Sequence, residues 1–286
     1  ALRCRGQVLE STARVTYEIH VKELGYDPQP YVLADAVMYA DDKRVVSFGN
    51  VSYRLVGLDA AAIEAGWGRA TPIDRPPESA APWLREPPIA DPAAAPRPAP
   101  RPTLYDHDSV LAFAVGRPSD AFGATYAPFD AERRIARLPG PPFCFIDRVV
   151  HLEQEPWVLR PGGWVEAEYS VPPDAWYFAA NRSRRIPFCV LLEIALQPCG
   201  WLAGYLGSAL RSDQDLHFRN LEGTAVQHLE LGPDAGLLTV RVRLTSSSEA
   251  GGMILQSFAL QVWAGGLAYE GTTKFGFFPG PALANQ

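Results

Sequence analysis

The stretch PFCVLLEIALQPCGWLAGYLGSAL, residues 187–210, is a long, mostly apolar run that contains a single acidic residue. It predicts a nearly buried helix, and Pro187 suits the first turn of that helix. Pro198 predicts a kink or a break, since proline lacks the backbone N–H. Strand patterns lie on both sides of the run, at residues 163–170, 224–230, 237–246, 253–264 and 267–278. One buried helix with a set of antiparallel strands is typical of the α+β class.

The N-terminal part is rich in strands. Residues 6–23, 31–40 and 44–55 predict three antiparallel strands, and the first places Val15, Tyr17, Ile19 and Val21 on one half-buried face. No long amphipathic helix accompanies them, so the apolar face needs a helix or another sheet to cover it. Residues 69–104 hold 11 of the 27 prolines and predict an extended linker. The chain therefore divides into residues 1–68, 69–104 and 105–286.

Composition excludes several classes of function. Apolar residues make up 47% of the 286 residues, the formal net charge is −6, and no basic stripe suggests nucleic-acid binding. We expect no membrane span and no secretory signal, because the apolar stretches are too short and the N-terminus lacks the signal pattern. Four cysteines without CxxC spacing predict reduced thiols in a cytoplasmic protein. The initial Ala1 leads us to expect a piece of a longer chain.

Glu193 is the one acidic residue of the predicted helix, and Gln197 lies four residues further on the same face. A carboxyl beside an amide suits general acid chemistry; alternatively, Glu193 lies on the one face of the helix that reaches water. The five histidines form no metal-binding pattern, and no phosphate-binding glycine loop is present. The basic stretch at 181–185 predicts either a solvated loop or a contact for an acidic carrier protein.

Several blocks in order resemble a known family: RLPGPPFCFIDRVV at 137–150, DAWYFAAN at 174–181 and IPFCVLLEIALQ at 186–197. They resemble FabA-type 3-hydroxyacyl-[acyl-carrier-protein] dehydratases, which have the hot-dog fold, a long central helix wrapped by an antiparallel sheet. Residues 187–210, with DLHFRNLEG and GGMILQSF downstream, resemble more narrowly the dehydratase regions of polyunsaturated fatty acid synthases and iterative polyketide synthases. The N-terminal strands are similar to the closing strands of another hot dog. The resemblance thus implies one complete hot dog, at 105–286, plus the closing strands of a second.

The resemblance also implies a site. In this family a histidine removes the α-proton of a 3-hydroxyacyl thioester, and an acid on the central helix protonates the leaving hydroxyl. The histidine position is occupied here by Asn181, the acid position by Glu193 and the helix glutamine by Gln197. Substrate contacts are expected from four further residues, namely Phe178, Pro187, Phe188 and Trp201. The reaction needs no metal or other cofactor; its substrate is carried on the phosphopantetheine of acyl carrier protein.

The loss of the histidine leaves alternatives open, because an amide does not titrate near neutral pH. The domain is either a dehydratase module that lends Glu193 to a histidine of a neighbouring hot-dog domain, or a non-catalytic hot dog that scaffolds an active neighbour and shapes its acyl tunnel. A hot-dog thioesterase is the third possibility, since fold does not determine function. Expected partners are acyl carrier protein, neighbouring hot dogs of the same synthase and a second copy in a homodimer.

Overall fold

The computed structural model describes residues 2–27, 29–55, 59–67, 101–181 and 184–284. Contacts within the chain divide it into two compact units, Ala1–Glu86 and Pro87–Gln286. Most of the predicted linker at 69–104 lies outside the described residues, so the three-part division of the chain stays a prediction.

The first unit contains a small antiparallel sheet. Its strands lie in the order β2-β3-β4-β1, with Asp41 in the left-handed conformation (φ 53°) at the turn between β3 and β4. The elements are β1 (Leu2–Cys4), β2 (Val15–Gly25), β3 (Tyr31–Ala40), β4 (Lys43–Arg54) and the short helix α1 (Ala60–Trp67). The three predicted strands are therefore present, and β1 is an additional one.

The prediction that β2 is half-buried is wrong. Val15, Tyr17, Ile19 and Val21 do share one face, but their side chains are between 39% and 63% exposed. Alternating apolar and polar residues indicate that a strand has an apolar face, whereas burial of that face also requires another element to cover it. Within the described part of this unit, no helix packs over these four side chains.

The second unit is an antiparallel sheet with one long helix packed against it. The strand order is β7-β10-β9-β8-β6-β5. The strands are β5 (Arg148–Leu152), β6 (Gly162–Ser170), β7 (Leu216–Gln227), β8 (Leu237–Ala250), β9 (Met253–Trp263) and β10 (Leu267–Pro279). The helices that flank or precede them are α2 (His107–Ala114), α3 (Pro118–Phe122), α4 (Trp176–Asn181), α5 (Phe188–Tyr205) and α6 (Gly280–Ala284). This arrangement confirms the predicted α+β class and the hot-dog architecture.

Helix α5 forms the centre of the core and packs against β6, β8 and β9. It passes through Pro198 without a break and ends earlier than predicted, because Gly207 takes the left-handed conformation (φ 80°) that terminates helices. A short 3-10 helix, Ser208–Arg211, follows. By length and composition α5 could cross a membrane, but 67% of it is buried within the protein, as expected for a core helix.

The segment before β5 contains structure that the sequence analysis did not predict. Helices α2 and α3 and a 3-10 helix, Ala124–Asp130, lie beside the C-terminal half of α5, where Gly204 faces Phe113 of α2 and Phe122 of α3. The hydroxyl of Tyr126 donates to the carbonyl of Gly204. The rings of Phe122 and Trp201 are in contact, with their centroids 5.6 Å apart. Prolines and glycines interrupt this segment every few residues, so no helical period extends far enough to be recognised.

Arg101, near the end of the predicted linker at 69–104, is fixed to the outer face of β6. Its guanidinium contacts Glu166 and donates to Glu168 at 2.8 Å. Glu168 is 2% exposed and also accepts from Arg148 at 2.7 Å. A carboxylate this deeply buried is stabilised by the two guanidinium groups that surround it.

Candidate active site

A cavity of about 320 Å³ runs along one face of α5. The helix contributes a row of positions spaced three or four residues apart: Glu193, Leu196, Gln197, Gly200, Ala203 and Gly204. The facing walls come from residues 133–139 and from side chains of β7 and β10, among them Phe218, Phe275 and Phe277. The cavity therefore starts at the second turn of α5 and extends past its C-terminal end to Ser208.

Glu193 and Gln197 line the same end of this cavity, as their spacing predicted. The side-chain amide of Gln197 donates to Glu193 Oε1 at 3.1 Å. Glu193 is half-buried, whereas Gln197 is 2% exposed. Because one carboxylate oxygen accepts from the amide, the other oxygen of Glu193 remains available to a group in the cavity.

Gln197 also fixes the backbone of the segment before β5. Its Oε1 accepts from the N–H of Phe145 at 2.7 Å, and its Nε2 donates to the carbonyl of Phe143 at 2.6 Å. The amide thus joins α5 to this segment and orients Glu193 at the same time. A single residue carries a structural and a positioning role here.

Cys144 lies within the segment that Gln197 holds. Burial raises the pKa of its thiol, and the nearby Asp147 raises it further. The thiol is therefore protonated at neutral pH and is a poor nucleophile. This leaves the carboxyl of Glu193 as the group best placed for proton transfer at this end of the described cavity.

The backbone of Asn181 ends α4, but the Asn181 side chain and residues 182 and 183 lie outside the described residues. Its expected place opposite Glu193 stays a prediction. In the same basic stretch, Arg185 forms an ion pair with Glu230 at 2.6 Å, while Arg184 is exposed. Arg185 therefore has an internal partner, and a carrier contact through this stretch also stays a prediction.

The four predicted substrate contacts lie outside the described lining of the cavity. Trp201 is fully buried and stacks on Tyr205, with ring centroids 5.3 Å apart. Phe178 is buried beside Tyr177, and Pro187 precedes the first residue of α5. Phe188 is 49% exposed and packs on Tyr269. A role in substrate binding for these four residues stays a prediction.

The histidines of the described residues lie elsewhere. His20, His151 and His228 each contact a neighbouring carboxylate, and His107 contacts the carbonyl of Ile146. The described cavity lining contains no histidine. Over the same residues no group of histidine, cysteine and carboxylate side chains could hold a metal ion.

Sequence reasoning missed most of the cavity. Gly200, Ala203 and Gly204 continue the face of Glu193 and Gln197, and that pattern of small residues was visible in the sequence. The facing Leu138 and the distal Ser208 could not be assigned, because their approach depends on how distant segments pack. The helix face alone therefore indicates the cavity, and the fold completes it.

Comparison with known proteins identifies the class. The model of the FabA-like domain family matches residues 1–49 and 138–270, well over half of the chain. The chain therefore belongs to the FabA-like family, and its two matched stretches fall in the two units described above.

A more particular relative is a subunit of the polyunsaturated fatty acid synthase of Thraustochytrium sp. (strain ATCC 26185 / S-3). The chain is 24% identical to it over 383 residues, which cover 100% of this chain and 26% of the relative. The chain thus spans about a quarter of the length of that protein. It is a FabA-type hot-dog region similar to that of a polyunsaturated fatty acid synthase.

Solved structures with a similar fold include a dehydratase and a thioesterase. The dehydratase heterocomplex ApeI:P from Xenorhabdus doucetiae matches with a TM-score of 0.38 and 15% identity, covering 51% of this chain and 90% of that one. The F36A mutant of the fluoroacetyl-CoA-specific thioesterase FlK matches with a TM-score of 0.34 and 15% identity, covering 43% and 98%. These likenesses concern the fold alone.

Proposed function

We propose that the second unit is a dehydratase-like module of a fatty acid or polyketide synthase. It acts on 3-hydroxyacyl thioesters carried by acyl carrier protein and supplies the acid half of the site. The observation that carries this proposal is the Glu193 carboxyl, held by Gln197 at 3.1 Å at one end of an elongated cavity along α5. We further propose a cytoplasmic module that uses no metal or redox cofactor.

In the proposed reaction a base removes the α-proton of the thioester, and the electron pair forms the new double bond to the β-carbon. The carbon–oxygen bond at the β-carbon breaks, and Glu193 gives its proton to the departing hydroxyl, which leaves as water. The amide of Gln197 bonds to Oε1, so Oε2 is the oxygen that would carry this proton. The product is a 2-enoyl thioester.

The cavity walls suit an acyl chain on a phosphorylated arm. Phe113, Leu216 and Phe277 make much of the lining apolar. Arg133, Arg134 and Arg137 lie on the facing wall; Arg137 is exposed and anchored to the carbonyl of Gly116 at 2.7 Å. An exposed guanidinium group such as that of Arg137 favours the phosphate of a phosphopantetheine arm, which supports acyl carrier protein as the partner. Arg133 is instead held by the carbonyls of Ser212 and Gln214.

The base must come from elsewhere under this proposal, because the described cavity lining has no histidine. Loss of a general base costs about 10²–10⁴ in rate. The chain by itself should therefore turn over a 3-hydroxyacyl-pantetheine thioester at close to the background rate. A neighbouring FabA-type hot dog that carries the histidine should restore turnover.

The test is a reconstitution assay followed by mass spectrometry of the thioester. The full chain is mixed with, or fused to, a histidine-bearing FabA-type hot dog whose own helix acid has been replaced. We expect turnover that disappears with Glu193→Gln and partly returns with Glu193→Asp. Glu249 is exposed on β8, so Glu249→Gln is the matched control and should leave the turnover rate unchanged. Turnover that survives Glu193→Gln would refute the proposal.

A second candidate is a scaffolding hot dog without chemistry of its own. The specific observation in its favour is that Gln197 makes two of its three hydrogen bonds to the backbone of Phe143 and Phe145, as a purely structural residue would. In this case Glu193→Gln changes stability but leaves the rate of the assembled pair unchanged. The thioesterase alternative predicts release of free acid, which the same mass spectra would detect.

A further inference from the structure

We infer that an exposed apolar surface around Glu193 is the docking surface for the histidine-bearing hot dog that completes the site. The inference rests on the proposed function for the identity of this partner, whereas the surface is defined by the described residues alone. We call this surface the α5 patch; it consists of Phe143, Trp176, Phe188, Cys189 and Leu192.

The first two turns of α5 leave apolar side chains open to solvent. Phe188 is 49% exposed, Cys189 is exposed and Leu192 is half-buried. At 100° per residue, these three positions and Glu193 fall within an arc of about 140° on the helix surface. The acid therefore lies at the border of an apolar strip that faces solvent.

Two aromatic rings extend this strip on the other side of the acid. The amide of Gln197 donates both to Glu193 Oε1 and to the carbonyl of Phe143, so Phe143 lies next to the acid. Its ring is 49% exposed and packs edge-on against the ring of Trp176, which is 39% exposed, with centroids 5.0 Å apart. The indole N–H of Trp176 donates to the carbonyl of Pro142 at 3.1 Å, which fixes this ring on the surface. Apolar side chains thus flank the acid on both sides.

The size and composition of the α5 patch fit the core of a protein–protein interface. An aromatic side chain offers about 150–250 Å² in all, so Phe143, Trp176 and Phe188 together expose about 300 Å². This is about a third of the area that each partner contributes to a standard interface. Interface cores are rich in aromatic residues and poor in charge, and Glu193 is the one charged side chain within this surface.

The missing base selects the partner. The described cavity lining has no histidine, and a general base must come within about 3 Å of the group that it deprotonates. A domain that brings a histidine to a substrate held at Glu193 must cover the neighbouring side chains, because these lie only about 5–6 Å away on the helix surface. About three quarters of the related synthase subunit lies outside the match to this chain, so a protein of that kind has neighbouring domains to supply the histidine.

Two other occupants fit the α5 patch less well. An acidic carrier protein would place negative charge against the Glu193 carboxylate, and like charges across an interface weaken binding. A second copy of this chain would bring no histidine from its own described cavity lining, so it would leave the site incomplete.

The first experiment measures, by calorimetry and without thioester, the affinity of the full chain for a histidine-bearing FabA-type hot dog whose helix acid has been replaced. Cys189→Arg places a charged side chain in the α5 patch and should weaken binding by about tenfold or more, because a buried charge without a partner is costly. Cys189→Ser is the matched control of nearly unchanged size and should bind like the wild type. Since Cys189 is exposed, both variants should fold.

Phe188→Ser is a second variant. Burial of its exposed half, about 100 Å², contributes about tenfold or more to the affinity, which this variant should lose. Leu104→Ser is the matched control: Leu104 is also 49% exposed but lies beside β5, where its N–H donates to the carbonyl of Val149. We expect Leu104→Ser to leave the affinity unchanged.

The thiol of Cys189 reports directly whether the α5 patch is covered. Alkylation by N-ethylmaleimide is followed at this residue by peptide mass spectrometry. With the partner at about ten times its Kd, about one tenth of the chain stays free, so alkylation should slow about tenfold. Acyl carrier protein at the same concentration should leave the rate unchanged.

The inference is overturned if the hot dog does not bind, if Cys189→Arg binds as tightly as Cys189→Ser, or if the bound hot dog leaves Cys189 unprotected. Protection of Cys189 by acyl carrier protein, or by raising the concentration of the chain alone, would also overturn it, because the occupant would then be a different one. Failure of the proposed function gives another result: the hot dog binds and protects Cys189, but the pair shows no turnover that depends on Glu193.

Discussion

Replacing Gln197 by methionine tests whether its amide joins α5 to the segment before β5. The two side chains have similar length, so the change removes hydrogen bonds while the volume is largely kept. The N–H of Phe145, a residue that is 2% exposed, loses its acceptor, and the carbonyl of Phe143 loses its donor. An unsatisfied buried group costs about 1–3 kcal/mol and a lost hydrogen bond about 1 kcal/mol. We therefore expect the free energy of unfolding to fall by about 3 kcal/mol.

The assay is urea denaturation of the full chain followed by tryptophan fluorescence, together with thermal unfolding. For a domain of this size, 3 kcal/mol corresponds to a decrease in Tm of about 6–12 °C. Gln214→Met is the matched control: its side chain is exposed, and we expect a change within about 0.5 kcal/mol. A loss below about 1 kcal/mol for Gln197→Met would show that the amide does not hold this segment.

Three further predictions concern stability. Trp201→Ala should lower the free energy of unfolding by about 3–5 kcal/mol in urea titrations, because the indole is fully buried among aromatic rings; a smaller loss would mean that the cluster is loosely packed. Glu168→Gln should cost about 3 kcal/mol by the same measurement, since it leaves Arg101 and Arg148 without their shared buried charge; an unchanged midpoint would contradict that account. Hydrogen bonds from Ser119 and the nearby Arg117 lower the pKa of Asp130 below its ordinary 3.8. The ionised carboxylate therefore stabilises the fold fully above pH 3.8, and this stabilisation is lost as the pH falls through the lowered pKa. Asp130→Asn should therefore be less stable than wild type at neutral pH but not in strong acid, and a pH-independent difference would refute the charge-based account.

The sequence predicts the central helix and most strands of the second unit well, because one long apolar run and several alternating segments mark them. The run at 187–210 contains few polar side chains, and the strands after it alternate regularly between apolar and polar residues. The end of α5 was predicted five residues too late, since the left-handed Gly207 interrupts a run that stays apolar beyond it. Apolarity indicates burial, whereas backbone conformation decides where the helix stops.

The cavity shows the limit of sequence reasoning for the site. Glu193 and Gln197 could be paired because four residues make about one turn of helix. Leu138 and Phe277 are far from α5 in sequence, so only the packing of the sheet and the segment before β5 brings them to the same cavity. Strand β2 shows the same limit, because the alternation of Val15 to Val21 cannot say what covers that face.

The most direct test of the central claim is a crystal structure of the full chain with a bound 3-hydroxyacyl-pantetheine amide. We predict that the β-hydroxyl lies within hydrogen-bond distance, about 3 Å, of the Glu193 carboxyl. The acyl chain should lie in the cavity along α5. An acyl chain seated elsewhere in the second unit, with Glu193 free of any contact to the ligand, would contradict the account.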